Sequence, residues 1–297
     1  MSIYTAQAIV APWREEAALP ATFEQFRISL LKRPQPDLLE WPEPTPYEFI
    51  RRVFSADFTF NHMGREFRYL PYAESTLPGL IVGGFGRERE TVETPPTPDG
   101  FVPEPHVGWQ SAMTVVDPTD HADGQKLAME RNDSVGKPKA ILDSFVKAIN
   151  EANSSAGYLL AIEPLFNAGD FWEWAEENKG AVVSVTFDLV VPNGLWTSER
   201  NVREELRTPK EKVGAQRVVT TLKSSEGLNL NDESVRDYVA YAESGSGRVK
   251  GQAKAGRPRR TYDSKNKRRT AIVPEDESGR PLVTRLVEIV SRILDRG

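Results

Sequence analysis

Ten residues between Arg248 and Thr270 are basic: Arg248, Lys250, Lys254, Arg257, Arg259, Arg260, Lys265, Lys267, Arg268 and Arg269. Asp263 is the only acid among them, so this segment carries +9 while the rest of the chain carries −14. Guanidinium and ammonium groups at such density neutralise phosphates along a polyanion and release its counterions. An acidic body with one concentrated basic stretch predicts a localised contact, with repulsion elsewhere helping to orient the ligand. A solvated loop that balances the acidic body would carry the same letters. Tyr262, inside the cluster, could stack on a base or simply pack.

Two carboxylate groupings invite a metal. Asp170 with Glu177 and Lys179 imitates the Asp…Glu-x-Lys set with which nucleases hold a cation beside a phosphate. However, the letters Phe171–Glu177 read as a helix, and Lys179-Gly180 as its end. Asp117, Asp120, His121 and Asp123 carry oxygen and imidazole donors suited to Mg²⁺, Mn²⁺ or Zn²⁺. A turn with capping Asp residues explains that spacing equally well. Trp172 and Trp174, either side of Glu173, could offer a stacking patch or half-bury on a helix face. Gly83-Gly84-Phe85-Gly86-Arg87 fits neither the dinucleotide nor the P-loop fingerprint and reads as a turn. No nucleophile elbow is present. No catalytic residue, metal ligand or cofactor is therefore assigned.

Within the basic run, Gly256-Arg257-Pro258 with its basic flanks resembles an AT-hook, whose extended Arg-Pro core lies in the narrow minor groove of A·T-rich DNA. The broader reading is backbone neutralisation by the whole segment.

The composition bounds these options. The chain has 297 residues, 39% hydrophobic and 27% charged, enough for one large or two modest domains. It has no cysteine and three histidines, which removes disulfides, thiol nucleophiles and Cys-based zinc sites. No apolar run reaches membrane-span length, and the N-terminus lacks a secretory pattern, so a cytoplasmic protein without membrane insertion is expected.

The elements that must position these residues follow from periodicity. Strands are expected at Ile3–Val10, Leu80–Gly84, Trp109–Val116, Tyr158–Ile162, Ala181–Val191 and Gln216–Leu222. Helices are expected at Phe23–Leu31, Tyr47–Phe54 after Pro46, Gln125–Arg131, Pro138–Ala152, Asp170–Glu177, Ser198–Arg207, Glu233–Ala242 and the amphipathic Pro281–Leu294. Phe58–Leu70 reads as a hairpin turning at Met63-Gly64, and Arg248–Ala253 with Arg269–Val273 as a second. Five prolines between Thr91 and His106 predict an exposed arm, a long loop or a boundary without regular structure. Together these give an α+β fold, with a mixed or antiparallel sheet and helices mainly on one face. A division into 1–106 and 107–297 is expected, or one continuous domain.

The stretch Leu159-Leu-Ala-Ile-Glu-Pro-Leu-Phe166, followed by the β-like Val182–Val191, resembles a segment of the RexA-like phage-exclusion proteins. The hairpin Phe58–Tyr72 and the run Ala242–Lys250 are similar to further parts of that family. The resemblance covers about a fifth of the chain in patches. The AT-hook-like segment and the Pro-rich arm depart from the family. The resemblance implies a homodimeric, non-enzymatic protein of bacterial anti-phage defence. It would bind DNA with little sequence preference and act as a sensor for a separate effector protein. A metal-dependent nuclease and a protein-interaction subunit are the alternatives, and DNA is not distinguished from RNA.

Overall fold

Apolar residues recur at every second position along many segments, and strands dominate the fold. The computed structural model describes residues 21–33, 44–72, 79–98, 100–121, 124–191, 202, 206, 209, 212–256, 260–273 and 293–294. Within these it is a mixed α+β protein, predominantly sheet, with every pairing antiparallel.

The large sheet is built from β1 (Ala21–Lys32), β2 (Phe58–His62), β3 (Arg65–Pro71), β4 (Ile81–Glu93), β7 (Glu104–Asp117), β8 (Gln125–Glu130), β9 (Tyr158–Pro164) and β14 (Thr270–Val273). Its order is β14-β1-β8-β7-β4-β3-β2. One edge of β1 pairs with β8; along its other edge β14 and then β9 follow end to end. Two short strands, β5 (Pro96–Thr97) and β6 (Gly100–Phe101), close the tip of the β4–β7 hairpin. The expected boundary at 106/107 falls inside β7, and this sheet draws strands from both sides of it.

Helices α1 (Pro46–Phe54) and α2 (Pro138–Ala152) cover one face of that sheet. Thr45 and Glu48 form a capping box around Pro46, which fixes where α1 starts. Phe49, Phe54, Ile141 and Phe145 meet Phe26, Phe60, Tyr69 and Phe85 in the main core. The sheet curls around α2, so that β2 and β9, at opposite ends, both touch this helix. The Asn150 side chain fastens β9 there, donating to the Leu160 carbonyl at 2.8 Å and accepting from its amide at 2.7 Å. The opposite face carries a smaller cluster of Phe23, Val82, Met113, Val115, Ala128 and Val273, closed by Ile293 and Leu294.

The second sheet has the order β11-β10-β12-β13: β10 (Val182–Val190), β11 (Arg217–Lys223), β12 (Gly247–Ala253) and β13 (Thr261–Asp263). Helices α3 (Ala168–Glu177) and α4 (Glu233–Tyr241) pack on one face, around Phe171, Trp174, Val185, Phe187 and Val239. The other face is open along Thr221, Lys223, Lys250 and Gln252, while Arg217 at one end reaches Glu163 of β9.

Several expectations are corrected. Phe23–Leu31 and Gln125–Arg131 are strands β1 and β8, not helices. In β1, Phe26, Ile28 and Leu30 face the main core, while the buried Glu24, Gln25 and Arg27 gave the letters a helical look. The glycine-rich Gly83–Gly86 is not a turn but part of the first half of the thirteen-residue β4. Glycine is required there because neighbouring rings lie against the strand. A Cβ at Gly83 would stand 2.6 Å from the Tyr69 hydroxyl, and one at Gly84 2.4 Å from that of Tyr72. The Pro-rich arm is regular: β4 and β7 pair in register out to Glu93↔Glu104. Prolines are tolerated because a two-stranded ribbon has two free edges. Arg248–Ala253 and Arg269–Val273 do not pair; β12 lies between β10 and β13, whereas β14 joins β1. The strand Ile3–Val10 lies outside the described residues. So does most of the helix at Ser198–Arg207, of which Val202 and Leu206 are described and buried. Of Pro281–Leu294, only Ile293 and Leu294 are described.

Candidate nucleic-acid interface

Strand alternation decides where the basic segment points. Along β12, Val249, Gly251 and Ala253 face the helices, so Arg248, Lys250 and Gln252 face outward. Registered neighbours share a face. Lys250 therefore stands in a row with Thr186, Thr221 and Asp263, and Gln252 in a row with Ser184, Lys223 and Thr261. Gly251 has a packing reason: a Cβ there would lie 2.2 Å from the Trp174 ring.

Eight of the ten basic residues divide into two groups, and the other two lie outside the described residues. Arg248 forms a bidentate pair with Asp263, Arg268 donates to Glu24 at 2.5 Å, and Arg269 reaches Glu243 at 3.4 Å. Burial alone would raise the Asp263 carboxyl, but hydrogen bonds from Arg248 and the Lys265 amide hold it below its ordinary value. Glu24 is buried, so Arg268 compensates a carboxylate inside the large sheet. Lys250, Lys254, Arg260, Lys265 and Lys267 are exposed and form no ion pair among the described residues. Lys254 donates to the Glu226 carbonyl at 3.1 Å. Arg257 and Arg259, the arms of the hook-like motif, lie outside the described residues.

Tyr262 is buried, with its ring against Phe171 and Trp174, so it is no stacking platform. Trp174 is also fully buried, and Trp172 packs against Phe171. Lys223 is a basic residue on the open face that the charge run did not single out. Its signal was the alternation of Arg217, Val219, Thr221 and Lys223, all exposed at every second position.

Beside this face lies a cleft of about 150 Å³ between the two sheets, lined by Lys139, Glu163, Asp188, Arg217, Arg248 and Lys265. Its charges alternate. Lys139 contacts Asp143 at 2.5 Å and Glu163 at 3.4 Å; Arg217 contacts Glu163 at 2.7 Å and Asp188 at 2.9 Å. Glu163, the charged residue of the Ile-Glu-Pro-Leu stretch, is the hub that ties α2 to the small sheet.

The carboxylate candidates are not gathered. Asp170 and Glu177 lie at opposite ends of α3, and Lys179 pairs with Glu176 at 2.9 Å. Asp117 accepts from the Thr119 amide at 3.0 Å and stands 3.1 Å from His121, a turn arrangement; Asp123 is outside the described residues. Among the described residues no group of three potential ligands could hold a metal ion, and no helix is long and apolar enough to cross a membrane. Comparison with protein-family models, with curated proteins and with solved structures finds no match.

Proposed function

We propose that this chain binds nucleic acid through the open face of the small sheet and the loop that follows β12. It would serve bacterial anti-phage defence as a non-enzymatic sensor or regulator. The observation that carries the reading is the set Lys250, Lys254, Arg260, Lys265 and Lys267. These are exposed, and without ion pairs among the described residues, on an otherwise acidic chain. Lys223 extends this set across the sheet, and Arg257 with Arg259 adds to its charge. Arg248, Arg268 and Arg269 hold the segment in place instead of contacting phosphates. The defence role rests on the RexA-like resemblance alone, as does signalling to an effector.

The test is a fluorescence-anisotropy titration of the purified chain against labelled duplex DNA, single-stranded DNA and RNA in EDTA, at two salt concentrations. Binding that weakens steeply with salt supports the reading, and the preferred ligand chooses between DNA and RNA. No binding at low salt removes it.

A further inference from the structure

At the base of the β4–β7 ribbon the Arg68 guanidinium lies over the Trp109 ring, and beyond it the ribbon is exposed. From Glu88 to Trp109 every residue whose side chain is described is exposed except Pro95. Two-stranded ribbons are marginal in water on their own. This one also leaves Val92, Phe101, Val107 and Trp109 at least half exposed. Register shows that the apolar residues are not scattered. Val92 faces Pro105, Glu90 faces Val107 and Glu88 faces Trp109, so all six share one side of the ribbon. That side continues the face which, further along the same strands, buries Val82, Met113 and Val115. The other side carries Glu93 opposite Glu104, with His106 within 4.0 Å of both. Between residues 88 and 109 the formal charge is −4. A polyanion is therefore repelled from the arm, and the arm needs a cover that is basic and partly apolar.

The open face of the small sheet has that character. It presents Lys223 and Lys250 beside the paired Arg217–Asp188 and Arg248–Asp263, with an exposed Val219 registered against Asp188; the exposed Lys265 and Lys267 follow β13. We propose that the arm of one subunit lies on this basic face of a second copy, and that the exchange is reciprocal across a two-fold axis. Area favours reciprocity. One ribbon side, roughly 20 Å long and two strands wide, falls short of the roughly 800 Å² per partner of a standard interface. In a two-fold exchange each subunit buries both its arm and its basic face. The proposal does not rest on nucleic-acid binding, although it uses some of the same lysines; a polyanion that binds them would release the arm.

The experiment is sedimentation velocity on the full chain with two charge-reversed variants. One carries Glu88→Lys, Glu90→Lys and Glu93→Lys; the other carries Lys250→Glu, Lys265→Glu and Lys267→Glu. All six side chains are exposed, and circular dichroism checks that both variants keep the sheet signal. The unmodified chain is expected to be dimeric at micromolar concentration in about 50 mM salt and to shift toward monomer near 0.5 M. Each variant alone is expected to be monomeric. An equimolar mixture restores the dimer, because both contacts are then of opposite charge. A monomeric unmodified chain at low salt, an arm variant that still dimerises, or a mixture that stays monomeric would each overturn the arm exchange. Anisotropy on the same samples reads nucleic-acid binding separately, so either idea can fail without the other.

Discussion

Gly245 lies flat on Arg27: a Cβ added at position 245 would stand 2.4 Å from the Arg27 Cβ and 3.0 Å from the Leu165 side chain. The residue also has φ of 78°, in the left-handed region. Arg27, buried in β1, donates to the Ser244 carbonyl at 3.0 Å and to the Ser246 hydroxyl at 2.7 Å. The turn Ala242–Ser246 is thus seated on the large sheet just before the chain enters β12. Gly245→Ala is expected to lower stability by about 2–4 kcal/mol through backbone strain and overpacking. Urea unfolding checks this; a variant within about 0.5 kcal/mol of the parent would show that the seat is loose.

The division of the basic residues makes opposite demands on stability and binding. Arg268→Met leaves the buried Glu24, among the described residues, with Arg131 at 3.7 Å, and should destabilise by about 2–4 kcal/mol. Lys250→Met should stay within about 0.5 kcal/mol. Chemical denaturation of the two proteins, run in parallel, separates these classes.

Binding should sort the same residues the other way. Every duplex phosphate that is no longer neutralised reduces the slope of log K against log salt by about 0.9. Lys250→Met, Arg260→Met and Lys265→Met together should flatten that slope by about 2 to 3. Equal slopes for the triple variant and its parent would move the binding surface elsewhere.

His62 supplies a pH dependence. Burial, and then the nearby Arg87, push its imidazole below the ordinary 6.5, against a smaller opposing pull from Asp143. Its Nδ1 lies 2.8 Å from the Ser144 hydroxyl. As pH falls, the unfolded chain takes up this proton first. The stability due to a neutral His62 is therefore complete above about pH 6.5 and declines below it. Imidazole NMR should give His62 a midpoint below 6.5, and His62→Gln should remove part of the acid-side loss. A midpoint at or above 6.5 would contradict the burial argument.

What could be read in the sequence was mostly local. The hairpin turns at Met63-Gly64, both with positive φ, and α1, α2, α3 and α4 start or stop where proline, Asn or Asp residues sit. The α+β class followed from the alternation. The errors came from partners far along the chain. Glu24, Gln25 and Arg27 break the pattern of β1 because Arg268, Ile293 and Ser244 satisfy them from more than 200 residues away. Gly83 and Gly84 read as a turn because Tyr69 and Tyr72, which need the space, belong to another segment. The basic segment was visible as a charge count. Its internal division was not, since whether an arginine is free depends on a carboxylate that only the fold brings near.

The pairing of β1 has a consequence for biosynthesis. The first residues of β1, Ala21–Glu24, take their outer partner from Thr270–Val273. A nascent chain elongating at about 5–20 residues per second must hold that edge unpaired for roughly 12–50 s. Until β14 emerges from the ribosome, the strand offers free amides and carbonyls beside Phe23. Protection of that edge during translation, by a chaperone or by temporary cover from the chain itself, is therefore a requirement of this topology. Messages cut short before codon 270 should yield aggregates in place of a smaller folded product.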